Sequence, residues 1–322
     1  MLAAYAARID ATDPLSGLEV AERPEPQARP GWTTVSLRAA GLNHHDVWSL
    51  RGVGLPADRL PMILGCDGAG VDPDGNEVIV HAVVASPGWG GDETLDPKRS
   101  LLSEVHDGTL AERVAVPTSN LVPKPSDLSW ETAACLSTAW LTAYRMLFTN
   151  AGVTPGDTVL VQGAGGGVAT ALVQLGSAAG LRMWVTSRDE AKGAKAVEIG
   201  ADRAFASGER LPERVDAVME TVGAATWSLS VNSLNPGGAI VIAGATSGDA
   251  PAKAELTKIF FKQLRVIGST MGSRSELEGL AKFVAQQHIQ PVIDSVHPLA
   301  QARDGFAKMV DGDVFGKIVF TV

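Results

Sequence analysis

A glycine-rich turn is the part of the sequence whose chemistry is easiest to state. The run Gly163-Ala164-Gly165-Gly166-Gly167-Val168-Ala169 follows an apolar segment, Thr158 to Gln162, and opens a helix-forming segment. Glycines let the backbone turn sharply and approach a pyrophosphate, whose charge the N–H groups of a helix N-terminus attract. The match to G-x-G-x-x-G is imperfect, because the third glycine falls at Val168. We predict that this turn binds a dinucleotide pyrophosphate through Gly163, Gly165, Gly166, Gly167 and Val168.

The end of the next strand bears on which dinucleotide binds. NAD enzymes place an acidic residue there, about 20 residues after the glycine turn, to bind the ribose 2′-OH. This chain has Ser187 and Arg188 at that point, and Lys192 follows one helical turn later. These three residues can donate to a 2′-phosphate, so NADP (NADPH) is predicted over NAD. Asp189 fits NAD or the first turn of a helix, and a solvated helix start is the alternative for Arg188 and Lys192.

The elements around the turn alternate between strand and helix. Strands are predicted at Leu181 to Ser187, Asp216 to Val222 and Gly237 to Ala245, and helices at Val168 to Gly180 and Asp189 to Gly200. Such alternation predicts a doubly wound parallel sheet with helices on both faces. The fold class is therefore α/β.

The first part of the chain has a different pattern. Residues 1 to about 122 contain short β-rich runs broken by Pro, Gly and Asp, which is typical of a small barrel or sandwich. Two prolines then form a link, and Ser129 is a predicted N-cap for a helix. The last residues return to short β-like pieces that can fold back onto the first domain. We predict a discontinuous β-rich domain, 1–122 with 290–322, and a dinucleotide-binding domain, 123–289.

Composition excludes several classes of protein. The 322 residues carry a net charge of −9, and Lys and Arg form no block, which argues against nucleic-acid or anionic-membrane partners. Two cysteines cannot build a disulfide framework, so a reducing cytoplasm is expected. The uncharged stretch Thr158 to Leu181 is interrupted by glycines and glutamines, which argues against a membrane span. A small-molecule substrate is expected.

Several stretches, in their order and spacing, resemble the medium-chain dehydrogenase/reductase superfamily and, within it, the zinc-independent quinone oxidoreductase and enoyl reductase branch. The resemblance implies a GroES-like catalytic domain, a Rossmann domain inserted before the last catalytic segment, and a homodimer that extends the Rossmann sheets edge to edge. The stretches are Ala39 to Gly52, Pro61 to Gly70, Asp107 to Pro117, Thr138 to Leu147, the glycine turn, Asn235 to Gly248, Phe260 to Ser273 and Phe315 to Val322.

The departures from this family concern zinc. Its zinc enzymes carry cysteine where this chain has Asn43, histidine where it has Cys66, and cysteine or an acidic residue where it has Thr138. A structural zinc lobe would lie between about Ser86 and Leu102, where there is no cysteine. A catalytic zinc needs three protein ligands, so we predict no metal. An unorthodox site remains an alternative, drawn from His44, His45, Asp46, Cys66, Asp67 and His81.

Without zinc, hydrogen-bond donors must stabilise the charge that develops on the acceptor oxygen. The resemblance makes Asn43 the candidate donor and puts Thr138 at the nicotinamide edge, while His44 or His45 is the candidate proton donor and Asp46 is grouped with them as catalytic. Lys317 either approaches the cofactor or lies on the surface. Further cofactor contacts are expected from Thr221, Ala243, Gly244, Ala245, Ser269, Thr270 and Met271.

Such a site favours hydride transfer from NADPH to a quinone or an α,β-unsaturated carbonyl compound. Alcohol oxidation is disfavoured, because alkoxide formation without a Lewis acid loses charge stabilisation. Two alternatives stay open: a zinc-type alcohol dehydrogenase with an atypical ligand set, and a non-catalytic NADPH-binding protein.

Overall fold

A computed structural model describes residues 1–322, which fold into two units. The first unit contains Met1–Leu141 and Met271–Val322, and the second contains Thr142–Thr270.

The chain forms eighteen strands. In chain order they are β1 Leu2–Ala6, β2 Leu18–Glu22, β3 Trp32–Leu42, β4 Met62–Ile63, β5 Asp67–Val71, β6 Glu77–Val80, β7 Val83–Val84, β8 Ser100–Leu101, β9 Arg113–Pro117, β10 Leu121–Pro123, β11 Thr158–Gln162, β12 Arg182–Ser187, β13 Arg203–Ala206, β14 Val215–Glu220, β15 Leu234–Ile242, β16 Arg265–Gly268, β17 Ile293–Pro298 and β18 Lys317–Thr321.

The helices are mostly short. Nine α-helices are α1 His44–Leu50, α2 Trp130–Ala133, α3 Leu141–Tyr144, α4 Gly167–Ala178, α5 Glu190–Glu198, α6 Trp227–Ser233, α7 Leu256–Phe261, α8 Arg274–Gln286 and α9 Ala302–Asp311. Two π-helical segments, Leu136–Trp140 and Arg145–Ala151, flank α3. No helix among residues 1–322 has the length and apolar character needed to cross a membrane.

The second unit is built on a six-stranded parallel sheet. The strand order is β13-β12-β11-β14-β15-β16, and every neighbouring pair is parallel. Numbered within the unit this is 3-2-1-4-5-6, the Rossmann order, whose ligands bind at the carboxyl ends of the strands near the reversal of order. The apolar core residues of β11 and β14 are fully buried, as strands covered on both faces require. The predicted α/β class with a Rossmann sheet is confirmed.

The first unit is built on a seven-stranded sheet around β3. Strands β5 and β18 both pair with β3 in antiparallel fashion, so the C-terminal strand lies in the same sheet as strands of the first part of the chain. The register pairs Gly41 with Asp67 and Leu42 with Ile318. As a result Asn43, which follows β3, lies close to the first residues of β5 and β18, Asp67 and Lys317.

Gly41 makes this meeting of strands possible. A Cβ at Gly41 would lie 2.5 Å from the Ala134 carbonyl oxygen and 3.0 Å from the Cβ of Asp67. Real Cβ atoms do not approach backbone oxygens so closely, so the glycine is required by packing. It lets the end of α2 lie against β3 without displacing Asp67.

The division of the chain differs from the one predicted from sequence. The predicted limits, 122/123 and 289/290, would give residues 123–141 and 271–289 to the dinucleotide-binding domain, whereas both segments belong to the first unit. Their helices explain the difference, because α2 packs on β3 and β5, and α8 packs on β10. A helix after a proline link is typical of the start of a new domain, but here α2 and α8 pack on strands of the first unit.

Candidate active site

A buried ion pair and an amide lie where β3, β5 and β18 meet. Lys317 Nζ donates to the Leu42 carbonyl oxygen at 2.8 Å, to Asn43 Oδ1 at 2.7 Å and to Asp67 Oδ2 at 2.7 Å. Asn43 Nδ2 also donates to Asp67 Oδ2, at 2.9 Å. An ammonium group has three donors and no acceptor, so all three of its hydrogens are used. We call Asn43, Asp67 and Lys317 the ammonium cluster.

Burial makes these contacts obligatory. The Lys317 side chain is 2% exposed and that of Asp67 is 0% exposed, while Asn43 is 6% exposed. The position of Lys317 rules out the surface role that was one of its two predicted placements. Removing one member of such a pair leaves a buried unpaired charge, a loss of about 3–5 kcal/mol. Asp67 Oδ1 is buried without a hydrogen bond, so Lys317 and Asn43 satisfy only one carboxylate oxygen.

Asn43 is positioned by the start of α1. It is the N-cap of that helix, and its backbone N–H donates to Asp46 Oδ2 at 2.9 Å. Its side-chain amide has two N–H groups, of which one is used by Asp67. The candidate donor is therefore held by backbone and side chain, with one N–H group left for a ligand.

Asp46, for which a catalytic role is predicted, contacts backbone groups in the structure. It is fully buried, and its two carboxylate oxygens accept the backbone N–H groups of Asn43 and of Gly65, at 2.9 and 2.8 Å. Burial raises the pKa of Asp46 to about 7, although these two hydrogen bonds and the charge of Lys317 oppose the rise. The carboxyl group anchors the turn that carries Asn43.

The two adjacent histidines have different surroundings. His45 Nε2 lies 3.2 Å from Ser103 Oγ and 3.7 Å from Glu104 Oε1, whereas the His44 side chain is exposed and lies near the ring of Trp48. Desolvation lowers the pKa of both histidines, and Glu104 only partly offsets this for His45. A lowered pKa disfavours the charged imidazole, so these surroundings do not favour the predicted role of His44 or His45 as proton donor.

Cys66 and Thr138, two positions that hold zinc ligands in zinc-dependent relatives, are both buried at their polar atoms. Cys66 Sγ donates to the Leu102 carbonyl oxygen at 3.3 Å, and burial raises the pKa of this thiol well above its ordinary value. Thr138 Oγ1 is buried without a hydrogen-bond partner. The Cys66 thiol is thus used within the chain, and a threonine hydroxyl is not among the usual zinc ligands.

The glycine turn in the second unit has the form predicted for an anion site. Gly163 has φ +92°, which L side chains rarely adopt, and Gly166 is the N-cap of the 12-residue helix α4 with no side-chain cap. A Cβ at Gly166 would meet no atom within 4 Å, and its φ of −73° is ordinary. Neither packing nor backbone conformation therefore requires this glycine, whereas close approach of a ligand would. The turn, with Gly165, Gly167 and Val168, fits a pyrophosphate.

A buried polar network lies beneath this turn. Thr186 Oγ1 donates to Gln162 Oε1 at 2.6 Å and accepts from the Gly163 N–H at 3.3 Å. Gln162 Nε2 donates to Ser230 Oγ at 3.0 Å, and Ser230 donates to Glu220 at 2.7 Å. The network joins the carboxyl ends of β11, β12 and β14, so it fixes the glycine turn relative to the neighbouring loops.

The end of β12 is the predicted 2′-phosphate site. Asp189 is the N-cap of α5, since its Oδ1 accepts from the N–H groups of Ala191 and Lys192, at 2.9 and 3.2 Å. The capping role explains why the acidic Asp189 follows β12, where an acidic residue would otherwise indicate NAD. Ser187 Oγ donates to the Asp189 carbonyl oxygen at 2.6 Å, so its hydrogen is used within the chain. The exposed Arg188 is the cationic donor that remains at this end of the strand.

The other predicted cofactor residues follow the carboxyl ends of neighbouring strands. Thr221 comes after β14, Ala243, Gly244 and Ala245 after β15, and Ser269 and Thr270 after β16, so the parallel register brings them to one edge of the sheet. Ser269 Oγ is buried without a hydrogen bond. Met271 differs from this group, because it belongs to the first unit and packs against its core.

Sequence reasoning missed the roles of Asp67, Lys317 and Glu220. Asp67 and Lys317 are the first residues of their strands and Glu220 is the last residue of its strand. Charged side chains are almost never fully buried unless paired. The partner of Glu220 lies close in sequence, in the Thr226 to Ser230 segment. Asp67 and Lys317 are 250 residues apart, so no local pattern could pair them.

Comparisons with known proteins agree with this architecture. The zinc-binding dehydrogenase family model matches residues 167–286, and the alcohol dehydrogenase GroES-like domain model matches residues 29–126. An acryloyl-coenzyme A reductase of Metallosphaera sedula is 29% identical over 323 residues, covering 95% of this chain and 96% of that protein. The zinc-type alcohol dehydrogenase-like protein YogA of Leptosphaeria maculans is 32% identical over 346 residues, covering 95% and 94%. A solved structure of an NAD-dependent alcohol dehydrogenase superposes with a TM-score of 0.91 at 35% identity over the whole of both chains.

Zinc does not fit the residues that this chain offers. Among residues 1–322, no three His, Cys, Asp or Glu side chains are arranged to hold a metal ion. Asp67 and Asn43 already bind the Lys317 ammonium, and Asp46 accepts two backbone N–H groups. His81 Nε2 lies 3.1 Å from Glu93. The unorthodox metal site considered from sequence therefore has no support in the geometry.

Asp46→Asn should flatten the pH dependence of stability. The folded pKa of Asp46, about 7, exceeds the unfolded value of about 3.9, so its stabilising contribution is complete below pH 4 and is lost as the pH rises through 7. Between pH 5 and pH 8 this corresponds to about 2–3 kcal/mol. The variant loses a capping bond at every pH but lacks this titration. Urea unfolding at both pH values should show a smaller difference for the variant than for the wild type, and equal differences would contradict the assignment.

Proposed function

The chain belongs to the medium-chain dehydrogenase/reductase superfamily of oxidoreductases, and on this premise we propose that it reduces an α,β-unsaturated carbonyl compound or a quinone with NADPH and without a metal ion. The ammonium cluster carries the proposal. Asn43 and Asp67, at and beside positions where zinc enzymes of the family hold their metal, are bound to a buried lysine. The remaining Asn43 N–H is a neutral donor suited to a carbonyl oxygen.

The second unit offers the residues that would hold NADPH. The N–H groups of the glycine turn and of the α4 N-terminus would bind the pyrophosphate, and Arg188 and Lys192 would bind the 2′-phosphate. Bound NADPH would supply the hydride. The polar network beneath the turn keeps Gly163 in place through the Thr186 hydroxyl, so the site is formed before the ligand arrives.

Asn43 would act on the acceptor oxygen. Addition of hydride at the β-carbon of an enone gives an enolate, whose charge is shared between the oxygen and the α-carbon. Such a charge needs less stabilisation than an alkoxide, and a fixed amide N–H group directed at the oxygen can supply it. The α-carbon then takes a proton from water. In a quinone the second oxygen takes this proton.

Relatives support two reaction classes. The acryloyl-coenzyme A reductase supports reduction of an activated double bond. The zinc-type alcohol dehydrogenase-like protein and the NAD-dependent alcohol dehydrogenase structure favour a second candidate, oxidation of an alcohol at an atypical zinc site. The ammonium cluster weighs against this second candidate, because a lysine cation already occupies Asn43 Oδ1 and Asp67 Oδ2.

The first test is turnover by metal-free protein. Wild-type protein, dialysed against a chelator and checked for metal content, should oxidise NADPH with acryloyl-coenzyme A, crotonyl-coenzyme A, simple enones or quinones. Asn43→Ala should lower kcat by about 100-fold, the effect typical of removing one oxyanion donor. Asn76→Ala, in an exposed turn of the same unit, is the control and should leave kcat unchanged.

Two results would contradict the proposal. Activity that chelation removes and zinc restores, with alcohols as substrates, would establish the alcohol dehydrogenase. Tight NADPH binding without reduction of any acceptor would establish a non-catalytic binding protein.

Arg188→Ala should reduce the preference for NADPH over NADH. Loss of one charge-assisted hydrogen bond to phosphate corresponds to about 1.5–3 kcal/mol, or roughly 10–100-fold in the ratio of kcat/KM values for the two cofactors. Arg182→Ala is the matched control, since Arg182 lies at the opposite end of the same strand and pairs with Glu213. An unchanged ratio in Arg188→Ala, or a wild type that prefers NADH, would refute the assignment of the 2′-phosphate site.

We also propose that the chain forms a homodimer in the cytoplasm. Strand β16 is one of the two edge strands of the Rossmann sheet; its Val266 is 44% exposed, and Phe260 and Phe261 of the preceding helix α7 are 62% and 75% exposed. An uncovered apolar edge is a template for pairing with a second copy. The two free, buried cysteines suit a reducing compartment.

Val266→Asp should convert this dimer to a monomer, because it puts a charge on the pairing edge. Analytical ultracentrifugation of the wild type should give twice the mass of the variant. Leu95→Asp, at another exposed apolar residue, should stay dimeric. A monomeric wild type would contradict the proposed interface.

A further inference from the structure

We infer that the ammonium group of Lys317 is the fixed cation of this site, and that it acts as a positioning group for the Asn43 amide in place of a metal ion. The inference rests on the proposed function for its effect on turnover. The placement of the charge rests on contacts alone. Three acceptors surround Lys317 Nζ at 2.7 to 2.8 Å, and one of them is Asn43 Oδ1.

The orientation of the Asn43 amide is set by its two charged neighbours. An ammonium group cannot accept a hydrogen bond, so the group facing it must be the Asn43 oxygen. The Asn43 nitrogen then faces Asp67 Oδ2, which can only accept. Both neighbours therefore favour the same orientation, and a flipped amide would set N–H against N–H and oxygen against oxygen. The direction of the remaining N–H group is fixed by charge.

The Lys317 charge also affects how strongly the Asn43 amide donates a hydrogen bond. Hydrogen bonds in chains polarise one another, most strongly where the local dielectric is low. Asn43 Oδ1 accepts from a cation, which draws electron density away from the amide nitrogen. The remaining Nδ2–H group is consequently a stronger donor than that of an isolated asparagine. A cation thus reaches the acceptor oxygen through one amide group rather than by direct coordination.

The position of the ammonium group also bears on metal binding. A divalent ion bound through Asn43 Oδ1 and Asp67 Oδ2 would have to displace the ammonium group from both atoms and leave it with the Leu42 carbonyl oxygen. The ion pair is fully buried, so separating it leaves one charge unpaired. The cluster therefore places the lysine charge, and not a zinc ion, at Asn43 Oδ1 and Asp67 Oδ2.

Steady-state kinetics of three variants test the positioning role. Lys317→Met should lower kcat at least tenfold while the KM for NADPH changes less than about twofold, because the effect reaches the acceptor only. Lys317→Arg keeps a cation and should restore part of the loss. The double variant Asn43→Ala/Lys317→Met should be no slower than Asn43→Ala alone, since residues that act through one another are not additive. Lys308→Met, which removes another paired lysine of the first unit, is the control and should keep the wild-type kcat.

A double variant without either buried charge serves as a second test if Lys317→Met does not fold. Asp67→Asn/Lys317→Met removes both buried charges and should fold, yet its kcat should stay as low as that of a variant lacking the oriented amide. Wild-type kcat in either folded variant would overturn the positioning role, and so would multiplicative losses in Asn43→Ala/Lys317→Met.

Calorimetric titration of the wild type with Zn²⁺ tests which cation occupies the ammonium cluster, and it needs no turnover. We expect no stoichiometric binding that depends on the cluster. One equivalent of Zn²⁺ bound by the wild type and lost in Asn43→Ala would overturn the inference. If instead the wild type reduces no acceptor but also binds no such zinc, the proposed function fails while the identity of the cation stands.

Discussion

The buried ion pair between Lys317 and Asp67 is the constraint on which the first unit depends. It joins the first residues of β18 and β5 beside the end of β3, and it fixes the side chain of the residue that follows β3. A pair this deep in the protein is stabilising only if both members stay in place and their remaining groups are hydrogen-bonded. The close approach at Gly41, the cap at Asp46 and the return of the C-terminal strand are all arrangements that keep it so.

In the second unit, the groups that would bind an anionic ligand include few charged side chains. Its carboxyl edge offers backbone N–H groups at a glycine turn, and the hydroxyl of Thr186 and the amide of Gln162 support that turn from below. Side chains that could repel phosphate are used elsewhere, since Asp189 caps α5 and Glu220 binds the N–H groups of Val222 and Gly223. An acidic chain can therefore present an anion site without a basic surface.

Local patterns predicted much of this arrangement. Strand β11 matches the predicted Thr158 to Gln162, and Ser129 caps its helix as its sequence context indicates, because period and capping are properties of a few neighbouring residues. The predicted domain limits differ from those of the two units, and the ion pair of Lys317 with Asp67 was not predicted. Both depend on partners far away in sequence: α8 packs on β10, and Lys317 meets Asp67 only after the chain has returned. A lysine before an apolar strand is ordinarily a surface residue, and only the complete sheet shows otherwise.

Nitrogen NMR of protein labelled at lysine tests the central claim most directly, since it observes the cation itself. The account predicts one ammonium group, absent from Lys317→Met, whose hydrogens exchange slowly with water because the group is buried and donates three hydrogen bonds. This signal should be unaffected by Zn²⁺. A spectrum in which every lysine ammonium exchanges rapidly, or in which Zn²⁺ displaces the protected signal, would contradict it.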